Sequence, residues 1–117
     1  MTMKLLDRFL KPNPQAREDE IVNAAMMLSL EWGEHFHKPI QDRLLKQFPD
    51  LPRERADELD QFCRAVQSFA FGLYYEQIAN GNDSGAGVQS KIKKRYPFLD
   101  QANLNRLETQ GLYYAHK

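Results

Sequence analysis

Two stretches of this chain carry the same punctuation, Leu44-Leu45-Lys46-Gln47-Phe48-Pro49-Asp50-Leu51 and Ile92-Lys93-Lys94-Arg95-Tyr96-Pro97-Phe98-Leu99, with equivalent residues 48 positions apart. In each, an apolar residue leads through a Lys to an aromatic, and the Pro that follows pushes the aromatic out of α space and ends a helix. Two residues past the Pro, Leu51 or Leu99 is placed to fold back on the turn as a hydrophobic clip. Leu59 and Leu107 keep the same offset, so the register continues beyond the turn. The pattern predicts two related helix–Pro turn–helix units.

The remaining segments fit an all-α chain. Met3, Leu6 and Leu10, with Phe9 beside them, give a short amphipathic helix that Pro12 ends, best explained as a packed N-terminal arm. Asn13 and Pro14 read as N-cap and first helical residue, with Glu18, Asp19 and Glu20 near the positive end of the helix dipole. Ile21, Ala24, Ala25, Leu28 and Trp32 form the stripe of a long helix that ends near Gly33 or runs on to His37, before Pro39 restarts the chain. Ile40, Leu44, Leu45 and Phe48 carry the next helix into the first Pro turn. Leu59, Phe62, Cys63, Val66, Phe69, Ala70 and Leu73 follow close to ideal helical spacing. The Gly-, Asn- and Asp-rich stretch 79–87 ends that helix. Val88, Ile92 and Tyr96 lead into the second turn, and Asp100 caps a last helix bearing Leu104, Leu107, Leu112 and Tyr113 or Tyr114. No stretch alternates apolar and polar residues over strand length. The expected fold is an all-α bundle of five or six helices in a single domain, residues 1–117.

Composition narrows the functional classes. Sixteen basic residues balance sixteen acidic ones, so no global field steers the chain to nucleic acid or anionic lipid. The single Cys63 cannot form an internal disulfide and suits a reducing compartment, with the cytoplasm as the default. Asp7 and Arg8 interrupt the apolar content of the N-terminus, so no leader is expected, and Ala24 to Leu30 is far too short to span a bilayer.

Three groups of residues bear on function. Met26, Met27 and Leu30 lie off the Ile21 and Leu28 face, and Phe71, Tyr75 and Ile78 lie off the Leu59 and Val66 face. Two helices that are apolar on nearly all sides belong either in the middle of the bundle or at an interface, and these six residues are the candidate interface of a homodimer. Glu31, Glu34, His35 and His37 have metal-ligand character, since Glu34 and His37 form an E-x-x-H pair. No second such pair occurs, so a polar helix end explains them more simply. Lys91, Lys93, Lys94 and Arg95 form the one basic run. With Asn103 and Arg106 on the next helix they outline a helix-turn-helix nucleic-acid site, against which stand the zero net charge and the acidic start of the other unit's second helix.

Cys63, inside the apolar stripe, reads as a small core residue rather than a nucleophile. Gly85-Ala86-Gly87 lacks the strand and spacing of a phosphate loop. Gly72-Leu73-Tyr74-Tyr75 and Gly111-Leu112-Tyr113-Tyr114 echo each other with a different offset, and their Gly residues permit close helix approach. No cofactor is implied, and an enzyme is unsupported and not excluded; the alternatives are a nucleic-acid-binding regulator and a metal-dependent enzyme built around Glu31 to His37. The expectation is a protein-interaction or scaffold module that pairs with itself or another protein.

Overall fold

The computed structural model describes residues 14–117, and the short helix expected over Met3 to Leu10 and the Asn13 cap lie outside them. The described residues are all-helical, without a strand. Helix α1 spans Pro14–Ser29, α2 Gln41–Gln47, α3 Arg53–Ala79, α4 Val88–Arg95 and α5 Gln101–His116, and a short 3-10 turn covers Gly33–His35.

Side-chain pairs give the helix directions. Glu18 meets Arg55 and Ser29 meets Gln67, so α1 and α3 run the same way. Asn23 meets Asn103 and Leu30 meets Gln110, so α5 runs that way too. The shorter α2 and α4 carry the chain back between these long helices. The contact between α3 and α5 is the most extensive in the molecule.

The core follows from this arrangement. Leu59, Cys63, Val66, Ala70 and Tyr74 of α3 are buried against Ile21, Val22, Ala25, Met26 and Leu28 of α1 and Leu104 and Leu107 of α5. Ile40, Leu44, Ile92 and Leu99 close the ends through the return segments. Phe69, placed on the stripe by spacing, lies at its exposed edge and packs edge-on against Tyr96 instead. No described helix is long and apolar enough to cross a membrane.

Both Pro turns take nearly the same backbone path. Phe48 has φ −128° and ψ 77°, and its N–H donates to Leu44 O at 2.9 Å. Tyr96 has φ −129° and ψ 75°, and its N–H donates to Ile92 O at 2.8 Å. Leu51 and Leu99 then donate back to the aromatic carbonyls at 3.0 and 3.1 Å. Leu99 is buried and Leu51 half-buried. Asp100 caps α5 by accepting from Asn103 N–H at 2.8 Å.

One helix end departs from the periodicity. Helix α1 stops at Ser29, well short of His37, and Trp32 is 49% exposed instead of continuing the stripe. Side chains of other helices meet this helix end. The terminal carbonyls of a helix lack intrahelical donors and need partners. Arg43 Nη1 of α2 donates to Leu28 O at 3.3 Å, Gln67 Nε2 of α3 to Ser29 O at 3.4 Å, and Gln110 Nε2 of α5 to Leu30 O at 2.5 Å. Three long side chains from three helices thus take up three successive carbonyls. Gly33 at φ 85° and His37 at φ 64° then turn the chain, the latter in a region that non-Gly residues seldom occupy.

Candidate interaction face

The segment that leaves α1 lies across the outer end of α5. Trp32 stacks on Phe36 with ring centroids 4.9 Å apart and meets Tyr113 edge-on at 5.6 Å. Tyr113 contacts Tyr114 at 5.3 Å, and Tyr114 reaches Phe71 of α3 at 5.6 Å. His37 Nε2 lies 3.1 Å from the Tyr114 hydroxyl, which pins the segment to α5. Desolvation, and secondarily the neighbouring Tyr113, raise the Tyr114 pKa, so its hydroxyl stays protonated near neutral pH. Lys117 Nζ sits 5.7 Å from the Tyr113 ring centroid, within cation–π reach. Trp32 and Tyr113 leave about half of their surface in solvent, so this is a ring cluster on the outside of the molecule.

The interface expected from the helix faces divides. Met26 and Leu30 are 0% and 2% exposed and belong to the core, because α1 is flanked by both α3 and α5 and buries two sides. Phe71 and Ile78 are half-buried. Met27 at 40% and Tyr75 at 66% are exposed. Met27 and Tyr75 thus remain on the surface, and Trp32 and Tyr113, outside the six, are exposed beside half-buried Phe36. Spacing had put Trp32 in the core. The signal against that was local, since Trp32 is followed at once by Gly33 and the helix needed to carry it cannot pass through a left-handed residue.

The acidic and His cluster is not brought together. The E-x-x-H pair presupposed one helix over Glu31 to His37, and that helix is absent. Glu31 accepts from Arg43 Nη1 at 3.1 Å, and His37 is turned to Tyr114. Glu34 is exposed and His35 half-buried on the 3-10 turn. No group of three or more His, Cys, Asp or Glu able to hold a metal ion occurs among the described residues.

The basic run is exposed on α4, but its partners on α5 face elsewhere. Lys91 and Lys94 are exposed, Lys93 donates to Leu99 O, and the Arg95 guanidinium lies 5.5 Å from the Tyr96 ring. Asn103 is only 1% exposed, with its Nδ2 donating to Asn23 O and Oδ1 at 2.9 and 3.0 Å, so it is no surface reader of bases. Arg106 donates to Asn103 Oδ1 at 3.0 Å. Asn103 joins α5 to α1, and Arg106 braces Asn103 from the next turn of the same helix.

Cys63 is fully buried. Desolvation, reinforced by Asp60, pushes its thiol up to about 12, which suppresses the thiolate needed of a nucleophile. What this surface offers is aromatic contact area on a pinned segment, without a nucleophile or ligand set beside it. The chain matches no protein-family model, no curated protein and no solved structure, so any functional conclusion rests on this geometry alone.

Proposed function

We propose that the chain acts by binding rather than catalysis, as a small cytosolic protein-interaction module that pairs with a second copy of itself through the face around Trp32, Phe36 and Tyr113. The observation that carries this reading is the half-exposed Trp32 and Tyr113, held edge-on and rigid in contiguous rings. Trp and Tyr at the centre of a desolvated contact dominate binding energies, whereas an open aromatic cluster on an isolated chain favours association. Met27 and Tyr75 extend the exposed apolar surface.

We further infer a duplicated plan for the scaffold, α2 with α3 and α4 with α5, each a short return helix, a Pro turn and a long helix. The matching dihedrals at Phe48 and Tyr96, and the matching bonds of Leu51 and Leu99, support this.

Sedimentation equilibrium over a wide concentration range tests the pairing. The expected result is a dimer for the native chain, with Trp32→Ala weakening it by about 2 kcal/mol or more. A native chain that stays monomeric throughout would sink the self-pairing. A dimer indifferent to Trp32→Ala and Tyr113→Ala would place the contact elsewhere.

A further inference from the structure

On the other side of Trp32, a cleft of about 310 Å³ opens between the end of α1 and α5. Met27, Leu30 and Trp32 form its apolar walls, and Asn105, Arg106, Thr109 and Gln110 supply polar edges. Two charged side chains reach it. Glu31 is engaged by Arg43 at 3.1 Å. Arg106 has no carboxylate partner among the described residues, and its one hydrogen bond runs from Nη1 to Asn103 Oδ1. Asn103 is itself immobilised by two bonds to Asn23, so this contact orients the guanidinium and leaves its other donors unused.

We propose that this cleft binds a small organic carboxylate with an apolar body, the carboxylate on Arg106 and the body against Met27, Leu30 and Trp32. A planar guanidinium pairs with a carboxylate through two parallel charge-assisted bonds, and a pre-oriented one loses little freedom on doing so. The apolar walls favour an organic acid over a bare inorganic anion, because they gain only from a ligand with apolar surface to bury. The volume stands at the low end of the about 300–1,000 Å³ of small-molecule sites, which sets the ligand at a single ring or a short chain. This inference does not depend on the pairing of the neighbouring aromatic face, and Arg106→Gln leaves the sedimentation behaviour unchanged.

Trp32 is the one tryptophan of the chain and lines the cleft, so its emission responds to a ligand there, and calorimetry at fixed protein concentration separates that response from pairing. The experiment titrates the full-length protein with phenylacetate, its neutral counterpart phenylacetamide, and inorganic phosphate, following Trp32 fluorescence and repeating each titration by calorimetry. Phenylacetate saturates the signal with a dissociation constant of about 1 mM or below. Loss of the charged hydrogen bonds weakens binding about 10- to 100-fold, both for phenylacetamide and for phenylacetate with Arg106→Gln. Thr109→Leu, which fills the cleft and keeps Arg106, also abolishes binding while circular dichroism stays native. Absence of saturable heat and emission change with phenylacetate overturns the proposal. So does equal binding of phenylacetamide, undiminished binding by Arg106→Gln or Thr109→Leu, or phosphate binding as tightly as phenylacetate.

Discussion

Replacing Gly111 by Ala should be among the most damaging small changes this chain can suffer, while the same change at Gly72 should stabilise it. The two glycines open matching Gly-Leu-Tyr-Tyr stretches and both lie inside helices, where Ala is favoured over Gly by about 1 kcal/mol. At Gly72 a Cβ meets nothing within 4 Å, so that gain is realised. At Gly111 a Cβ would run into Tyr74 Cδ2 and stand 2.9 Å from Cγ. Carbon atoms rest at about 3.5–4.0 Å, so α5 would have to move out by roughly 1 Å or the ring would have to retreat. The ring has no room, because it is 0% exposed and a Cβ on Gly85, against its other edge, would already lie 2.8 Å from Cε1. Overpacking of this kind costs about 1–3 kcal/mol or more. Set against the propensity gain, a net loss of up to about 2 kcal/mol follows, which lowers the melting temperature by up to about 8 °C for a domain of this size. Urea unfolding of the two single variants reads the opposite signs. In a Tyr74→Leu background the Gly111→Ala penalty should shrink by about 1 kcal/mol or more, which ties it to the ring. If Gly111→Ala were as stabilising as Gly72→Ala, the close packing of α5 on Tyr74 would be refuted.

Four further outcomes follow from the buried polar groups. Asn23→Ala breaks the bonds to Phe98 O, Asp100 N–H and Asn103 together, and should cost about 2–3 kcal/mol in urea melts; a loss below the usual value for one surface bond would argue against that junction. Gln110→Ala strips Leu30 O of its donor inside the core and should cost about 1–3 kcal/mol, with Trp32 emission shifting as the outgoing segment loosens. The Tyr74 hydroxyl is buried without a hydrogen-bond partner among the described residues, so Tyr74→Phe should leave stability unchanged or raise it by about 1 kcal/mol, and a clear loss would contradict the packing. For Cys63 the sign runs toward alkaline loss. Its native pKa of about 12 lies above the ordinary 9.0, so the unfolded chain releases the proton first, and stability present below pH 9 falls as pH rises toward 12. Between pH 8 and 10 that amounts to about 1 kcal/mol, which Cys63→Ala should remove from the pH dependence even though it lowers stability at pH 8.

The helices and the Pro turns were legible because their causes are local. Pro49 and Pro97 act on the residue before them whatever surrounds the chain, and the Asp100 cap needs only residues of its own first turn. The stripe from Leu59 to Ala70 needed only one periodicity, since α3 buries one main face. Helix α1 was harder because it is flanked on two sides, so Met26 and Leu30 look off-stripe in sequence and are buried in the fold. Tyr74 escaped for a related reason. Only the absence of a side chain at Gly111 and at Gly85 makes space for its ring, and neither residue is near it in sequence.

The candidate face was only partly legible, because Gly33 marks locally where Trp32 leaves the helix while the partners of the outgoing segment are distant in sequence. The periodicity of α1 runs on through Trp32, and nothing local to Leu28, Ser29 and Leu30 announces that their carbonyls will be taken by Arg43, Gln67 and Gln110. There the helix ends, and the chain turns at Gly33 and His37. Trp32 then leaves the core line for the surface of α5, between the ring cluster and the cleft. The same helix end dissolves the E-x-x-H motif, because Glu34 and His37 share a helix face only if α1 continues. One helix end therefore removes the metal reading and builds the aromatic surface at once. The local signal was Gly33 directly after Trp32, a residue free to take the left-handed turn that ends the helical path. Gln67 and Gln110, polar residues beside the apolar faces of α3 and α5, supply donors to the carbonyls at the end of α1.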